Sequence, residues 1–133
     1  MIALRDNSPA VVGPGIYPML YAFFDDRGVL RQDPFRLQVD VALGTQAAGV
    51  AILGLGTEVS KLTFDERIDV LEVVAKRIDG RKPLLATVYG DTITEQIEFS
   101  KQAIQSGTSA LMLQPPSQKM DDAKLVGFFS EII

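Results

Sequence analysis

A chain of 133 residues with 17 acidic and 13 basic side chains carries a formal net charge of −4, which argues against a nucleic-acid partner because phosphate backbones favour basic patches. It contains neither cysteine nor histidine. That removes disulfides, thiolate nucleophiles and Cys-type zinc sites, together with the commonest general base and metal ligand. Ser-His-Asp and Cys-His mechanisms are therefore excluded within this chain, and no apolar run reaches the roughly 18 residues of a membrane span.

The opening Met1-Ile-Ala-Leu-Arg-Asp6 lacks the charged lead and apolar core of a secretory leader, so a cytoplasmic location is expected. Residues 1–14 read as an N-terminal extension and residues 15–133 as one domain. That domain repeats one unit four times: an apolar strand, a short loop, an amphipathic helix. The strand cores are Ile16–Phe23, Val50–Leu55, Pro83–Val88 and Ser109–Leu113, near-continuous apolar runs of the kind a parallel strand needs when both its faces are buried. Gly49, Gly80 and Gly107 precede the last three and are placed to end the helix before each.

Asp33 is positioned to cap the first helix, with Pro34 at its first helical position and Phe35, Val39, Ala42, Leu43 and Ala47 on one face. Thr63-Phe-Asp-Glu66 is a capping box, in which hydroxyl and carboxylate satisfy otherwise unpaired amides. It opens a helix whose predicted stripe is Phe64, Ile68, Leu71, Val74, Ala75 and Ile78. Thr92-Ile-Thr-Glu95 repeats the device, with Ile93, Ile97, Ser100 and Ile104 predicted inward. Asp121 or Asp122 starts the fourth helix, where Leu125, Phe128, Phe129 and Ile132 are spaced for burial.

Four such units are the grammar of half a (β/α)8 barrel. The predicted fold is α/β, four βα units forming the N-terminal half of a TIM barrel. The fourth helix meets Ile133 without glycine, proline or a polar tail, and reads as a cut rather than a finish. Half a barrel leaves its outer strands without neighbours, so a homo-oligomer or a C-terminal half-barrel partner is expected. A doubly wound, flavodoxin-like sheet is the alternative, but no phosphate-binding sequence supports it.

In a parallel barrel the chemistry sits where strands end and helices begin. Four loops qualify: Phe24-Asp-Asp-Arg-Gly28, Leu55-Gly-Thr-Glu58, Tyr89-Gly-Asp91 and Gln114-Pro-Pro-Ser117. In the second, Gly54 and Gly56 let the backbone turn closely, and Thr57 offers a hydroxyl and an amide. Such a turn is suited to a small carboxylate. The simpler alternative is a tight exit turn in which Thr57 and Glu58 tie neighbouring loops together. A dinucleotide fingerprint fails, because Val59 stands where the third glycine belongs. Asp25, Asp26, Glu58 and Asp91 carry oxygens of the type that hold divalent cations. A solvated turn ending at Gly28 explains the first pair more simply, and no metal is predicted. The only phenols, Tyr17, Tyr21 and Tyr89, read as packing groups with satisfied hydroxyls.

The segments Gly15-Ile-Tyr-Pro-Met-Leu-Tyr-Ala-Phe-Phe-Asp-Asp-Arg-Gly28, Leu53-Gly-Leu-Gly-Thr-Glu-Val-Ser-Lys-Leu62 with Thr63 and Glu66-Arg67, Ala86-Thr-Val-Tyr-Gly-Asp91 and Leu113-Gln-Pro-Pro116 arrive in order. With them the chain resembles the dihydrodipicolinate synthase / N-acetylneuraminate lyase family from Gly15 onward. The wording is most similar to the branch containing 2-keto-3-deoxy sugar acid dehydratases, L-2-keto-3-deoxyarabonate dehydratase among them.

The resemblance implies a class I lyase acting on a small 2-oxo acid without a cofactor. A lysine on the sixth barrel strand forms a Schiff base with the keto carbon, and the iminium stabilises a carbanion beside it. A tyrosine on the fifth strand relays protons. Both are expected beyond Ile133, so no catalytic residue is expected here. Lys61, Lys76, Lys82, Lys101, Lys119 and Lys124 are expected to be solvated, with Lys61 and Lys119 nearest the strand exits.

In the family a glycine-threonine-threonine-glycine-glutamate turn grips the substrate carboxylate. Gly54-Leu55-Gly56-Thr57-Glu58 matches that stretch, with Leu55 and Gly56 where the hydroxyl residues usually stand. The resemblance therefore assigns the carboxylate to Gly56, Thr57 and Leu55, through Thr57 and backbone amides, and the pocket rim to Tyr17, Pro18, Glu58, Tyr89 and Pro115. The departure argues against ordinary dihydrodipicolinate synthase activity. The family's tyrosine after the fourth strand is also replaced, by Pro116, Ser117 or Gln118. The alternative reading is a non-catalytic, self-associating half-barrel that binds small oxo acids.

Overall fold

The computed structural model describes residues 9–133; the stretch Met1–Asp6, read above for a leader, lies outside them. The elements run α1 (Asp33–Leu43), β1 (Val50–Ile52), α2 (Phe64–Ile78), β2 (Leu84–Val88), α3 (Ile93–Gln105), β3 (Ala110–Leu113) and α4 (Asp122–Ser130), with 3₁₀ turns at Leu55–Thr57 and Val59–Lys61. The strands form one parallel sheet in the order β1-β2-β3. Val50 lies opposite Leu84, and Leu85 opposite Ala110.

Among the described residues three strands stand where the sequence predicts four. The first apolar segment does run parallel to β1: the Leu20 amide donates to the Ala51 carbonyl and the Ala51 amide to Pro18, both at 2.9 Å. Yet Met19 alone pairs with β1, opposite Ala51. Pro18 has no N–H for a ladder, and side chains take the groups that follow. The Thr57 hydroxyl donates to the Leu20 carbonyl at 2.5 Å. On the opposite edge, the Gln38 carboxamide accepts from the Tyr21 amide at 2.8 Å and donates to the Tyr21 carbonyl at 3.0 Å. The chain then turns at Asp25–Gly28 and bridges back, Phe24 against Leu30. The other strands match their predicted spans closely, except that β1 stops at Ile52 because Leu53 has a left-handed φ of 62°.

Helix α2 has the predicted capping box, Thr63 and Glu66 each satisfying the other's amide, and α4 is capped by Asp121. Asp33, by contrast, lies inside α1 rather than capping it, and bonds Arg36 at 2.7 Å. At the other end of α1, the Lys82 ammonium donates to the carbonyls of Ala42 (3.0 Å), Thr45 (2.9 Å) and Ala47 (2.7 Å). Lys82 is half-buried, a correction to the expected solvated lysine. A cation there complements the negative end of the helix dipole. Asp40 and Arg77 join α1 to α2 through two 2.6 Å bonds, and the guanidinium holds the Asp40 carboxyl below its ordinary range.

Gly49 does not end α1, which closes at Gly44. Its need is close approach: a Cβ would lie 2.4 Å from the Tyr17 ring and 2.5 Å from the Pro83 carbonyl.

The core gathers Leu20, Phe35, Val39, Val50, Ile52, Leu71, Val74, Ala86 and Phe99 between sheet and helices. Helix α3 is turned from its predicted face, burying Gln96, Phe99, Ser100 and Ala103 and leaving Ile104 62% exposed. Phe99 meets Phe64 edge-on at 6.4 Å, and burial of that large ring outweighs an outlying isoleucine. In α4 only Phe128 of the predicted four is fully buried. Beside the first segment, Ile16 (77% exposed), Leu37 (66%) and Val41 (61%) line an apolar cleft of about 680 Å³. No helix among the described residues is long and apolar enough to cross a membrane.

Candidate binding face at the strand exits

The turn after β1 owes its shape to the first segment lying against it. The Gly54 amide points to Met19 Sδ at 3.3 Å. A Cβ on Gly54 would come within 2.4 Å of Met19 Cε, and one on Gly56 within 3.2 Å of Met19 Cγ and 3.5 Å of the Tyr21 ring. Methionine and tyrosine thus pack closely against both glycines, and a side chain at Gly54 would have to displace the Met19 methyl.

Thr57 is fully buried. Its hydroxyl accepts from the Leu53 amide at 2.9 Å as well as donating to Leu20, and its amide donates to the Gly54 carbonyl at 3.1 Å. Thr57 therefore fastens the turn to the first segment. The amides of Leu55 and Gly56 lead a 3₁₀ turn and so have no partner within it. Leu55 itself is 89% exposed. Glu58, in left-handed conformation, pairs with Lys61 at 2.9 Å.

Of the remaining predicted rim residues, Tyr89 and Pro115 follow β2 and β3 at their exits, Tyr89 half-buried and Pro115 exposed. Pro18 lines the lateral cleft against α1. Tyr17 sits at the opposite end of the sheet: its ring covers Gly49, ahead of β1, and its hydroxyl donates to the Gly13 carbonyl at 2.8 Å and accepts from the Gly13 amide at 3.1 Å. An extended chain rises about 3.3 Å per residue, so four residues carry it from the Tyr17 level to the exit level, where Tyr21 touches the turn instead.

Beneath the exits lies a buried polar cluster that joins residues the sequence names in other roles, with Gln96 added to them. The Arg67 guanidinium, with a side chain 5% exposed, bonds the Tyr89 carbonyl, the Glu95 carboxylate and, at 3.2 Å, the Thr63 carbonyl. It lies over the rings of Phe64 (5.5 Å) and Tyr89 (5.6 Å). Because Glu95 turns to Arg67, Thr92 caps α3 without the reciprocal bond of a capping box. Gln96, fully buried, donates to the Gly90 and Gln114 carbonyls, both at 2.9 Å. Farther out, Asp91 Oδ1 accepts from the Ser117 amide at 2.7 Å and hydroxyl at 2.6 Å, and these bonds hold the Asp91 carboxyl below its ordinary range. The signal available in the sequence was the polar Gln96 one turn before Ser100 on an otherwise apolar face.

Asp25 completes a local turn, its carboxylate accepting from the Arg27 and Val29 amides at 2.9 Å. No group of three or more acidic side chains placed to hold a metal ion occurs among the described residues. All six lysines lie on helices or loops.

A sequence model described as the dihydrodipicolinate synthetase family matches residues 13–133. The chain belongs to the dihydrodipicolinate synthetase family. The 4-hydroxy-tetrahydrodipicolinate synthase of Pelobacter propionicus is 30% identical over 89 residues, covering 67% of this chain and 31% of that protein. YagE of Escherichia coli, named a candidate 2-dehydro-3-deoxy-D-gluconate aldolase, is 28% identical over 119 residues, 89% of this chain and 39% of that one. The solved structure of YagE in complex with pyruvate superposes with a TM-score of 0.80, covering 89% of this chain and 40% of that one. N-acetylneuraminate lyase of Mycoplasma synoviae gives 0.82 at 23% identity, covering 89% and 42%, and shows the fold alone. The chain thus spans about a third to two fifths of the length of these relatives. The family implies a TIM barrel, of which these residues form a part.

Proposed function

We propose that this chain is the substrate-binding part of a Schiff-base-forming lyase acting on 2-oxo acids, of the 2-keto-3-deoxy sugar acid dehydratase or dihydrodipicolinate synthase-like type. The observation that carries the reading is the turn after β1. The Leu55 and Gly56 amides lead the 3₁₀ turn and have no partner within it, while the Thr57 hydroxyl is engaged by Leu53 and Leu20. A carboxylate then rests on peptide N–H groups, with no cationic side chain needed. The likeness to YagE, solved with pyruvate, supports a small oxo acid as the ligand.

With the carboxylate on that turn, the keto carbon faces the axis of the barrel. A lysine amine from outside these 133 residues adds there, water leaves, and a C=N bond forms. The protonated imine then accepts the electron pair of the adjacent bond as it breaks. Tyr89 and Pro115 are assigned to the rim; Glu58 holds the turn through Lys61. Within this chain the role is binding and orientation.

The test is a pyruvate titration of the isotopically labelled chain, read at individual amides, followed by borohydride reduction and intact-mass measurement. Expected are shifts at Leu55 and Gly56 and an unmodified mass of 14.5 kDa. A titration that leaves both amides unmoved overturns the carboxylate assignment. In a longer molecule containing this chain, one borohydride-trapped adduct is expected. The exposed apolar face of Ile16, Leu37 and Val41 favours a second reading, a self-associating half-barrel that binds oxo acids without chemistry. Absence of any adduct in the longer molecule selects it.

A further inference from the structure

We propose that Gln96 is a positioning residue whose single carboxamide, bonded to the Gly90 and Gln114 carbonyls, sets the spacing between the loops that leave β2 and β3. The proposal rests on the reading of the strand exits as the oxo-acid mouth. Parallel strands end in carbonyls that no further rung satisfies, and Gly90 and Gln114 lie at that point. The Gln114 amide still pairs with Val88 at 3.0 Å, whereas its carbonyl accepts from Gln96 on α3. Gln96 projects from the second turn of that helix and spans both acceptors with its two N–H donors at 2.9 Å each.

Its neighbours leave little slack. A Cβ on Gly90 would come within 2.9 Å of the Glu95 side chain, and Pro116 is buried. The Asp91–Ser117 bonds close the same two loops at the surface. Tyr89 and Pro115 each adjoin one of the bridged carbonyl residues, so any ligand lying across these strand ends meets a gap that Gln96 helps to set from within, as Asp91 and Ser117 do at the surface. Only a carboxamide of this length bridges the two carbonyls. A carboxylate presents oxygen to two carbonyl oxygens, and an asparagine is one methylene shorter. The Gln96 Oε1 atom has no hydrogen-bond partner among the described residues, so the donor side alone holds the group in place.

The experiment begins with the unaltered chain: nuclear magnetic resonance couplings across hydrogen bonds from the Gln96 side-chain nitrogen to the carbonyl carbons of Gly90 and Gln114. Two are expected, and finding neither overturns the clamp without requiring any variant to fold. Gln96→Glu and Gln96→Met follow. In Gln96→Glu the amides of Asp91 and Ser117 are expected to titrate together, since the protonated acid restores one bond and the carboxylate none. The charged groups of the surrounding elements are Arg67 of α2, Glu95 of α3 and Asp91 of the loop, with the Tyr89 phenol; Asp91 is separated from the new titration by repeating it in Asp91→Asn. Gln96→Met is expected to displace the same amides without titrating. Loop resonances that match the unaltered chain in both variants overturn the proposal.

Pyruvate affinity is expected to fall about tenfold in both variants, equivalent to ~1.4 kcal/mol. Intact couplings with unchanged affinity in the variants reduce Gln96 to a fold element and overturn the positioning role. Should the unaltered chain show no pyruvate shift at Leu55 and Gly56, the oxo-acid reading fails by itself, and the couplings and loop titration still decide the clamp.

Discussion

The ammonium of Lys82 sits among three carbonyl oxygens beyond the last turn of α1, a place that α2 and α3 fill with a left-handed Asp79 or Gly107. Charge-assisted bonds to the end of a helix, partly shielded from water, are worth roughly 1–2 kcal/mol. Lys82→Met keeps the stem and removes the donors, and is expected to lower unfolding stability by about that amount, seen as a lower urea midpoint at unchanged slope. Nothing in the local sequence marks Lys82, because its acceptors lie 35 to 40 residues earlier. Thr57 shows the same limit. Its hydroxyl and glycine-flanked position are legible as a binding turn or as a tie between loops, and only the 37-residue link to Leu20 assigns the hydroxyl to the tie.

Two capping devices were readable because they are local, whereas Asp33 lies inside α1 and Glu95 leaves its expected box for Arg67. The Thr63–Glu66 box and the Asp121 cap form within one turn of the residues that encode them. The burial face of α3 was not, since Gln96 is polar by type yet fully buried by virtue of two carbonyls from other elements. The first segment likewise looks like a strand in composition, but its pairing depends on Pro18, Thr57 and Gln38 together. Between elements, the bond from Ser117 to Asp91 is expected to be pH-dependent. The Asp91 carboxyl is lowered in the folded state, so its contribution is present above its unfolded value of about 3.9 and is lost as pH falls through the folded value. An acid titration of the Ser117 amide is expected to show this transition below the ordinary carboxylate range, and Asp91→Asn to abolish it.

At the scale of the whole molecule, several apolar side chains are left facing solvent: Ile16, Leu37 and Val41 around the cleft beside the first segment, Ile104 on α3 and Val126 on α4. Exposed apolar surface of this kind favours association. Sedimentation over a range of concentrations is expected to give masses rising above the 14.5 kDa of one chain, and Leu37→Lys with Val41→Glu is expected to return the lighter species; a constant single-chain mass throughout contradicts this. Family membership was legible because the strand-exit wording is contiguous, whereas the direction of Tyr17 was not, being fixed by contacts with Gly13 and Gly49. The Gln38 carboxamide carries a consequence for whatever comes to lie along the first segment. It already satisfies both peptide groups of Tyr21 on the open edge, as a neighbouring strand would. An incoming strand must end its hydrogen-bond zipper short of Tyr21 or evict the side chain, so one glutamine acts as the stop on a molecular ruler.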